Sequence, residues 1–255
     1  MAREAEEHCT LQKHGNVYLL TITGTDQHRL NPSLINSLRS LLRPLLSLPP
    51  SSPPSALVTT AHGRFFSNGY DLDWAGSDPD SIRLMSSSLR SLVRDLLSLP
   101  MPTIAAVNGH AAAAGMILAL SHDYVVMNSR RGFLYMSEVD IGLVLPRWFV
   151  AIVRGKVGGG GGRAVRELLM RARKVTAAEA VGMGLVEEGC EGPERTAGRA
   201  MEIGEELVGR GWAGDVVRAN RLVVWADLVH PLDEDETVAD MKPKPYNEAH
   251  PRPKL

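Results

Sequence analysis

The chain has 255 residues, enough to bury the core of one domain with a small appendage. Its 28 basic and 29 acidic residues leave a net charge of -1, which excludes a broad electrostatic case for nucleic acid. Two cysteines, Cys9 and Cys190, form no disulfide framework and fit a reducing compartment, and the most apolar stretch, 104–120, is too short and too interrupted for a membrane span.

In chain order, residues 17–23 read as a strand and Asn31-Pro32-Ser33 as a helix start. Leu34, Ile35, Leu38, Leu41, Leu42, Leu45 and Leu46 then share one helical face, with Pro44 expected to kink or divide that helix. A proline-rich loop, 48–55, precedes a buried strand from Leu57 and a turn at Ser67-Asn68-Gly69. Asp78-Pro79 opens a second helix, apolar at Ile82, Met85, Leu89, Leu92, Val93, Leu96 and Leu97 and closed by Pro100 and Pro102. Residues 103–107 form a short apolar run, Asn108-Gly109 a turn, and the tiny residues 111–115 lead into an apolar helical pattern. Residues 124–127 are a short strand, and 132–146 carry Glu138 in an otherwise apolar run. Five glycines, 158–162, lack the Lys-Ser or Lys-Thr of a phosphate loop and read as a connector. Thr176 and Glu179 make a capping box, and 194–210 and 215–229 read as terminal helices. Strands alternating with helices define an α/β chain.

The tiny-residue junction carries the first chemical implication. Small side chains let another group approach the backbone, and amides at a helix start have no partner within the helix. Such amides can hold a developing negative charge, as in an oxyanion hole, although a tightly packed core helix has the same pattern. His110 is expected to pack, Asp71 and Asp73 to serve turns and helix starts, and Asp123 to be a turn residue. The histidines show no metal-ligand spacing, and neither Ser67 nor Ser121 lies in a nucleophile elbow.

Four marks add an expectation when taken in order. They are Phe66-Ser-Asn-Gly-Tyr-Asp-Leu72, Ala106-Val-Asn-Gly-His-Ala111 with Gly115, Ser137-Glu138 with Gly142, and the run from Thr176 to Val186. The set resembles the crotonase family, also called the enoyl-CoA hydratase/isomerase superfamily, over about residues 15–190, and is most like its plant-type peroxisomal isomerases. The resemblance implies an α/β spiral of ββα repeats, residues 1–190, a helical C-terminal region, 191–240, and an extended tail, 241–255. It implies an acyl-CoA substrate and a homo-oligomer, trimer or hexamer. It places the two oxyanion amides at Tyr70 and Ala114, and substrate contacts at Ser67, Asn68, Gly69, Tyr70, Asp71, Ala114, Ser137 and Ile117. His62 and Arg64 either lie near the nucleotide half of coenzyme A or are solvated.

Glu138 matches the catalytic glutamate of family isomerases, and its neighbours Met136, Val139 and Ile141 are apolar, so burial would raise its pKa toward that of a useful base. Asp140 matches no catalytic position and is read as structural or pocket-lining. Family hydratases carry a second carboxylate where this chain has Ile117, which cannot activate water. The expected activity is therefore Δ3-Δ2-enoyl-CoA isomerisation, without metal or cofactor, since coenzyme A is part of the substrate. The alternatives are an enoyl-CoA hydratase, an acyl-CoA hydrolase, or a non-catalytic acyl-CoA-binding subunit. Pro253-Lys254-Leu255 looks like a variant of the peroxisomal Ser-Lys-Leu address, which implies an import receptor and the peroxisomal matrix.

Overall fold

Pairs of strands followed by helices repeat along the chain. The computed structural model describes residues 8–24, 27–76, 78–157 and 161–233. The first unit is β1 (Cys9–His14), β2 (Val17–Ile22) and α1 (Pro32–Leu46). The second is β3 (Ala56–Ala61), β4 (Phe65–Ser67), α2 (Leu72–Ala75) and α3 (Pro79–Leu97). The third is β5 (Thr103–Val107), β6 (His110–Ala112) and α4 (Ala114–Leu120). The fourth is β7 (Tyr124–Asn128), β8 (Leu134–Tyr135) and α5 (Arg147–Lys156).

With β9 (Glu188–Cys190), the strands sort into a six-stranded sheet, β1-β2-β3-β5-β7-β9, and a three-stranded sheet, β4-β6-β8. Among the strand pairs of the described residues, only β1–β2 is antiparallel. Strands β3 and β5 are buried throughout, as their unbroken runs of apolar and small residues require for parallel strands covered on both faces. Helices α1 and α3 each enter the core through one apolar stripe: Ile35, Leu38 and Leu42 on α1, and Leu89, Leu92 and Val93 on α3.

The helix starts are local and follow from capping chemistry. The Asn31 side chain accepts from the Leu34 amide at 3.0 Å, with Pro32 opening the helix. Asp78 caps α3 in the same way, accepting from the Ser81 amide at 3.0 Å. Pro44 does not divide α1. It lies in the last turn, where a lost amide donor and a ring against the preceding turn disturb little of the remaining helix.

The capping box of Thr176 and Glu179 is present at the head of α7 (Ala177–Gly182), which follows α6 (Gly162–Val165) and a π-turn at Arg166–Met170. Of the five glycines, residues 158–160 lie outside the described residues. The C-terminal region holds α8 (Pro193–Val208), α9 (Gly214–Val224) and α10 (Ala226–Leu232). The helix expected over 215–229 is thus two helices. The break is at Trp225, whose φ of -104° and ψ of 25° leave the helical region as its ring docks on α5, under the Lys156 ammonium at 4.4 Å. The tail with Pro253, Lys254 and Leu255 lies outside the described residues.

One buried ion pair ties α9 to the large sheet. Arg221 donates to both carboxylate oxygens of Asp123 at 2.7 Å, and to the carbonyls of Leu97, Leu99 and Met101. Asp123 also accepts from the Thr103 amide at 2.8 Å. The sequence suggests only a turn role for this residue; its carboxylate instead joins two strands and a helix. Among the described residues, no helix is long and apolar enough to cross a membrane.

Candidate active site

Two tight turns at the edge of the small sheet build the site. Strand β4 runs into Asn68-Gly69, with Gly69 at a φ of +81°. Strand β6 runs into Ala113, at a φ of +48°, which swings the chain into α4. A Cβ on Gly69 would stand 2.9 Å from the Ala112 oxygen and 3.4 Å from the Ala114 nitrogen, and one on Gly115 would stand 2.2 Å from the Ser67 oxygen. The two turns therefore touch backbone to backbone. That closeness is what the tiny residues of 111–115 permit.

The hydrogen bonds around the turns skip two amides. Gly69 accepts from the Leu30 amide at 2.7 Å and the Asp71 amide donates to Leu30 at 3.2 Å, which leaves the Tyr70 N–H between them. The Ala113 amide donates to the Tyr135 carbonyl at 2.7 Å, which leaves Ala114 as the first amide of α4. Among the described residues, neither the Tyr70 nor the Ala114 N–H donates to a backbone carbonyl. Both belong to the two turns that meet at Gly69.

A cavity of about 260 Å³ opens beside these turns. Its polar lining is Arg29, Asn68, Tyr70, Ser137 and Glu138; its apolar lining includes Leu72, Ile82, Ile141 and Leu143. Glu138 is the one carboxylate among the lining residues and is 4% exposed. Its Oε2 has no hydrogen-bond partner, and burial pushes its carboxyl up to about 7. It sits in a turn closed by the Ile141 amide donating to Ser137 at 3.1 Å and the Leu143 amide donating to Glu138 at 2.8 Å. Burial also raises the Tyr70 phenol, whose ring stacks on Phe149 at 6.3 Å. A larger groove of about 530 Å³ runs along α9, but its carboxylate, Asp123, is already bound to Arg221.

The expected site residues divide into two groups. Asn68, Tyr70, Ser137 and Glu138 line the cavity, while Gly69 and Ala114 form the backbone wall where the turns meet. Three side chains expected at the substrate are taken up by structure or by the core. The Ser67 hydroxyl is fully buried and donates to the His28 carbonyl at 2.7 Å. Asp71 caps α2 by accepting from the Trp74 amide at 3.1 Å, and also accepts from the Asn31 side chain at 3.0 Å. Ile117 is fully buried in the core and is not among the lining residues.

His110 packs as expected, between Phe65 at 5.1 Å and Phe133 at 4.2 Å. Asp140 is exposed and accepts from the Tyr135 hydroxyl. His62 and Arg64 are exposed and do not line the cavity. Sequence reasoning missed Arg29, Ile82, Ala113, Ile141 and Leu143. Ile82 and Leu143 carry only the signal of a core position, and Arg29 that of a surface one.

A spiral of ββα units, with two glycine-supported amide turns beside one buried carboxylate, defines a crotonase-class α/β protein. Comparisons narrow the class. Residues 31–214 match the family model described as enoyl-CoA hydratase/isomerase. The chain is 49% identical to the Arabidopsis thaliana protein named enoyl-CoA delta isomerase 1, peroxisomal, over 90% of this chain and 95% of that one. It is 46% identical to enoyl-CoA delta isomerase 3 of the same plant, over 88% and 95% of the two chains. Among solved structures it is similar to the Mycobacterium tuberculosis enoyl-CoA isomerase, at a TM-score of 0.78 and 23% identity, over 89% of this chain and 95% of that one, a likeness of fold. The chain belongs to the enoyl-CoA hydratase/isomerase family.

Proposed function

We propose that this chain moves the double bond of 3-enoyl-CoA thioesters to the 2-trans position, with Glu138 carrying a proton from C2 to C4. The observation that carries the reading is one buried carboxylate, with a free oxygen, facing an otherwise largely apolar cavity. Removal of a C2 proton leaves a dienolate whose negative charge falls on the thioester oxygen. The Tyr70 and Ala114 amides face that charge, and each such donor is worth roughly 3–4 kcal/mol in comparable sites. Glu138 then returns its proton at C4, and the double bond ends in conjugation with the carbonyl. The reaction needs no water, metal or further cofactor. Leu72, Ile82, Ile141 and Leu143 keep water from the carboxyl, which holds its pKa where both protonation states are accessible near neutrality. Arg29 is the one cation on the lining and suits a substrate with phosphate charges.

A hydratase would need a second carboxylate to activate water, and α4 carries none: its residues run Ala-Gly-Met-Ile-Leu-Ala-Leu. The names of the Arabidopsis relatives support the isomerase reading. The test is an absorbance assay on the purified protein. It is expected to convert 3-enoyl-CoA to the conjugated 2-enoyl-CoA and to leave 2-enoyl-CoA almost untouched. Decay of 2-enoyl-CoA as fast as isomerisation would replace this reading with hydration.

Two relatives carry the word peroxisomal in their names, and peroxisomal residence is proposed for this chain; imaging of the whole chain behind an N-terminal fluorescent tag tests it. A homotrimer, alone or paired into a hexamer, is the proposed assembly, supported by the exposed Val216, Val223 and Val224 on α9. Light scattering in solution tests that state.

A further inference from the structure

The two halves of the site, amide turns and carboxylate turn, belong to different parts of the chain. One residue touches both. Tyr135 ends β8, pairs in register with Ala112 of β6, and accepts from the Ala113 amide through its carbonyl at 2.7 Å. Ala113 is the strained residue directly before the Ala114 N–H. Five residues on, the Tyr135 hydroxyl donates to Asp140 Oδ2 at 2.5 Å. Asp140 lies two residues beyond Glu138, in the same turn.

We propose that Tyr135 is a positioning residue that fixes the Glu138 carboxyl relative to the oxyanion amides, its carbonyl holding the amide turn and its hydroxyl, through Asp140, holding the carboxylate turn. This rests on the reading of Glu138 as the proton carrier. Met136 and Leu143 anchor the ends of the turn in the core, but its middle has few other restraints. Val139 and Ile141 are each about half exposed, Asp140 is exposed, and backbone bonds from the Ile141, Gly142 and Leu143 amides only close the turn on itself. The tyrosine is in turn held from the far side. Its ring meets Phe133 edge-on at 6.0 Å, and the Lys174 ammonium stands over both rings, at 5.0 Å from Tyr135 and 5.3 Å from Phe133. The phenol remains a donor across the working range, because burial and the Asp140 carboxylate push it up to about 12. A hydrogen bond to a charged acceptor is among the stronger kind, which suits a single tether.

Geometry explains why such a tether matters to this reaction. One carboxyl must reach two carbons, C2 and C4, while the thioester oxygen stays on the amides. A displacement near 1 Å in such an arrangement is worth on the order of 10²-fold in rate. Neither Tyr135 nor Asp140 is among the residues lining the cavity, so the substrate does not touch the tether itself.

The experiment compares Tyr135→Phe, Asp140→Ala and Asp140→Asn with the wild type, and with Glu138→Gln as reference. Tyr135→Phe and Asp140→Ala should each lower kcat at least ~10-fold, with KM within about twofold and the melting temperature unchanged. Asp140→Asn keeps an acceptor for the hydroxyl and should recover most of that loss. The double variant Tyr135→Phe/Asp140→Ala should be no worse than either single one, since both cut the same link. Wild-type kcat in Tyr135→Phe beside an inactive Glu138→Gln would overturn the positioning role alone, as would additive losses in the double variant or a KM that rises with the loss of kcat. Full turnover in Glu138→Gln would instead remove the proton-carrier reading beneath it.

Discussion

Asp123 and Glu138 are both carboxylates largely withdrawn from water, with opposite surroundings. Asp123 is pushed up by burial, but Arg221, the Thr103 amide and Lys156 outweigh this and hold it below its ordinary range. Glu138 is pushed up by burial with little set against it and keeps one oxygen unpartnered. Burial alone therefore does not distinguish a fastening group from a reactive one. The partners do: the first carboxylate is saturated with donors and fixes a helix, while the second is left poised to exchange a proton. Removing partners from the first, or the charge from the second, breaks this contrast in measurable ways.

The largest effect is expected from Arg221→Met. It leaves Asp123 charged and desolvated, and it orphans the Leu97, Leu99 and Met101 carbonyls. Loss of one partner of a buried pair costs about 3–5 kcal/mol, and urea unfolding should show a loss of that order. Arg221→Met/Asp123→Asn should recover part of it. A single variant as stable as the wild type would mean that α9 is held by its apolar contacts and that the ion pair adds nothing.

Glu138→Gln tests the other side of the contrast through two readouts. Turnover should fall at least ~10²-fold, the loss typical of removing a general base. In the wild type, turnover should rise with pH through about 7, as the carboxyl becomes a base. Stability should change in the opposite sense to activity. The native carboxyl binds its proton up to about 7 and the unfolded one only to about 4.5. Its contribution is therefore fully present below about 4.5 and lost as pH rises through about 7. The variant, which never ionises, should be more stable than the wild type by about 3 kcal/mol at pH 8 and no more stable at pH 4. Equal stability at both pH values would show that Glu138 is hydrated in solution.

How much of this was legible in the sequence depends on distance along the chain. The caps at Asn31, Asp78 and Thr176 could be read because each joins residues within three positions. The α/β alternation and the turns at Ser67-Asn68-Gly69 and Asn108-Gly109 could be read from short apolar runs punctuated by Asn-Gly and tiny residues, whereas the ββα order and the two amide positions came only from the family resemblance. Glu138 stood out as an acid inside an apolar run. Arg221 did not, because an arginine on a terminal helix reads as solvated, and its partner lies 98 residues away. Side-chain direction was lost as well. Ser67 and Asp71 stand in the right segments, but a buried hydrogen bond and a helix cap engage their side chains, and Ile117 is taken up by the core.

The smallest effect expected, and the one that bears most directly on the amide turns, is that of Ala113→Gly. Gly69 and Ala113 are the two positive-φ residues where the turns meet, and only one of them is glycine. At a φ of +48° and ψ of -123°, Ala113 occupies a region that residues with a Cβ rarely enter, at a cost of order 1–3 kcal/mol. Glycine relieves that strain but adds about 0.4–1 kcal/mol of unfolded-state freedom to be lost on folding. The net expectation is a gain of roughly 1 kcal/mol, or a melting temperature about 2–4 °C higher for a chain of this size. Turnover should hold, because the Ala113 N–H that donates to Tyr135 and the Ala114 N–H beside it are both backbone groups that the substitution keeps. A less stable Ala113→Gly variant would mean that the alanine methyl packs well enough against the cavity wall to outweigh its backbone strain. The turn would then be held by side-chain contact, and the resemblance between its two positive-φ residues would be one of geometry without a shared cause.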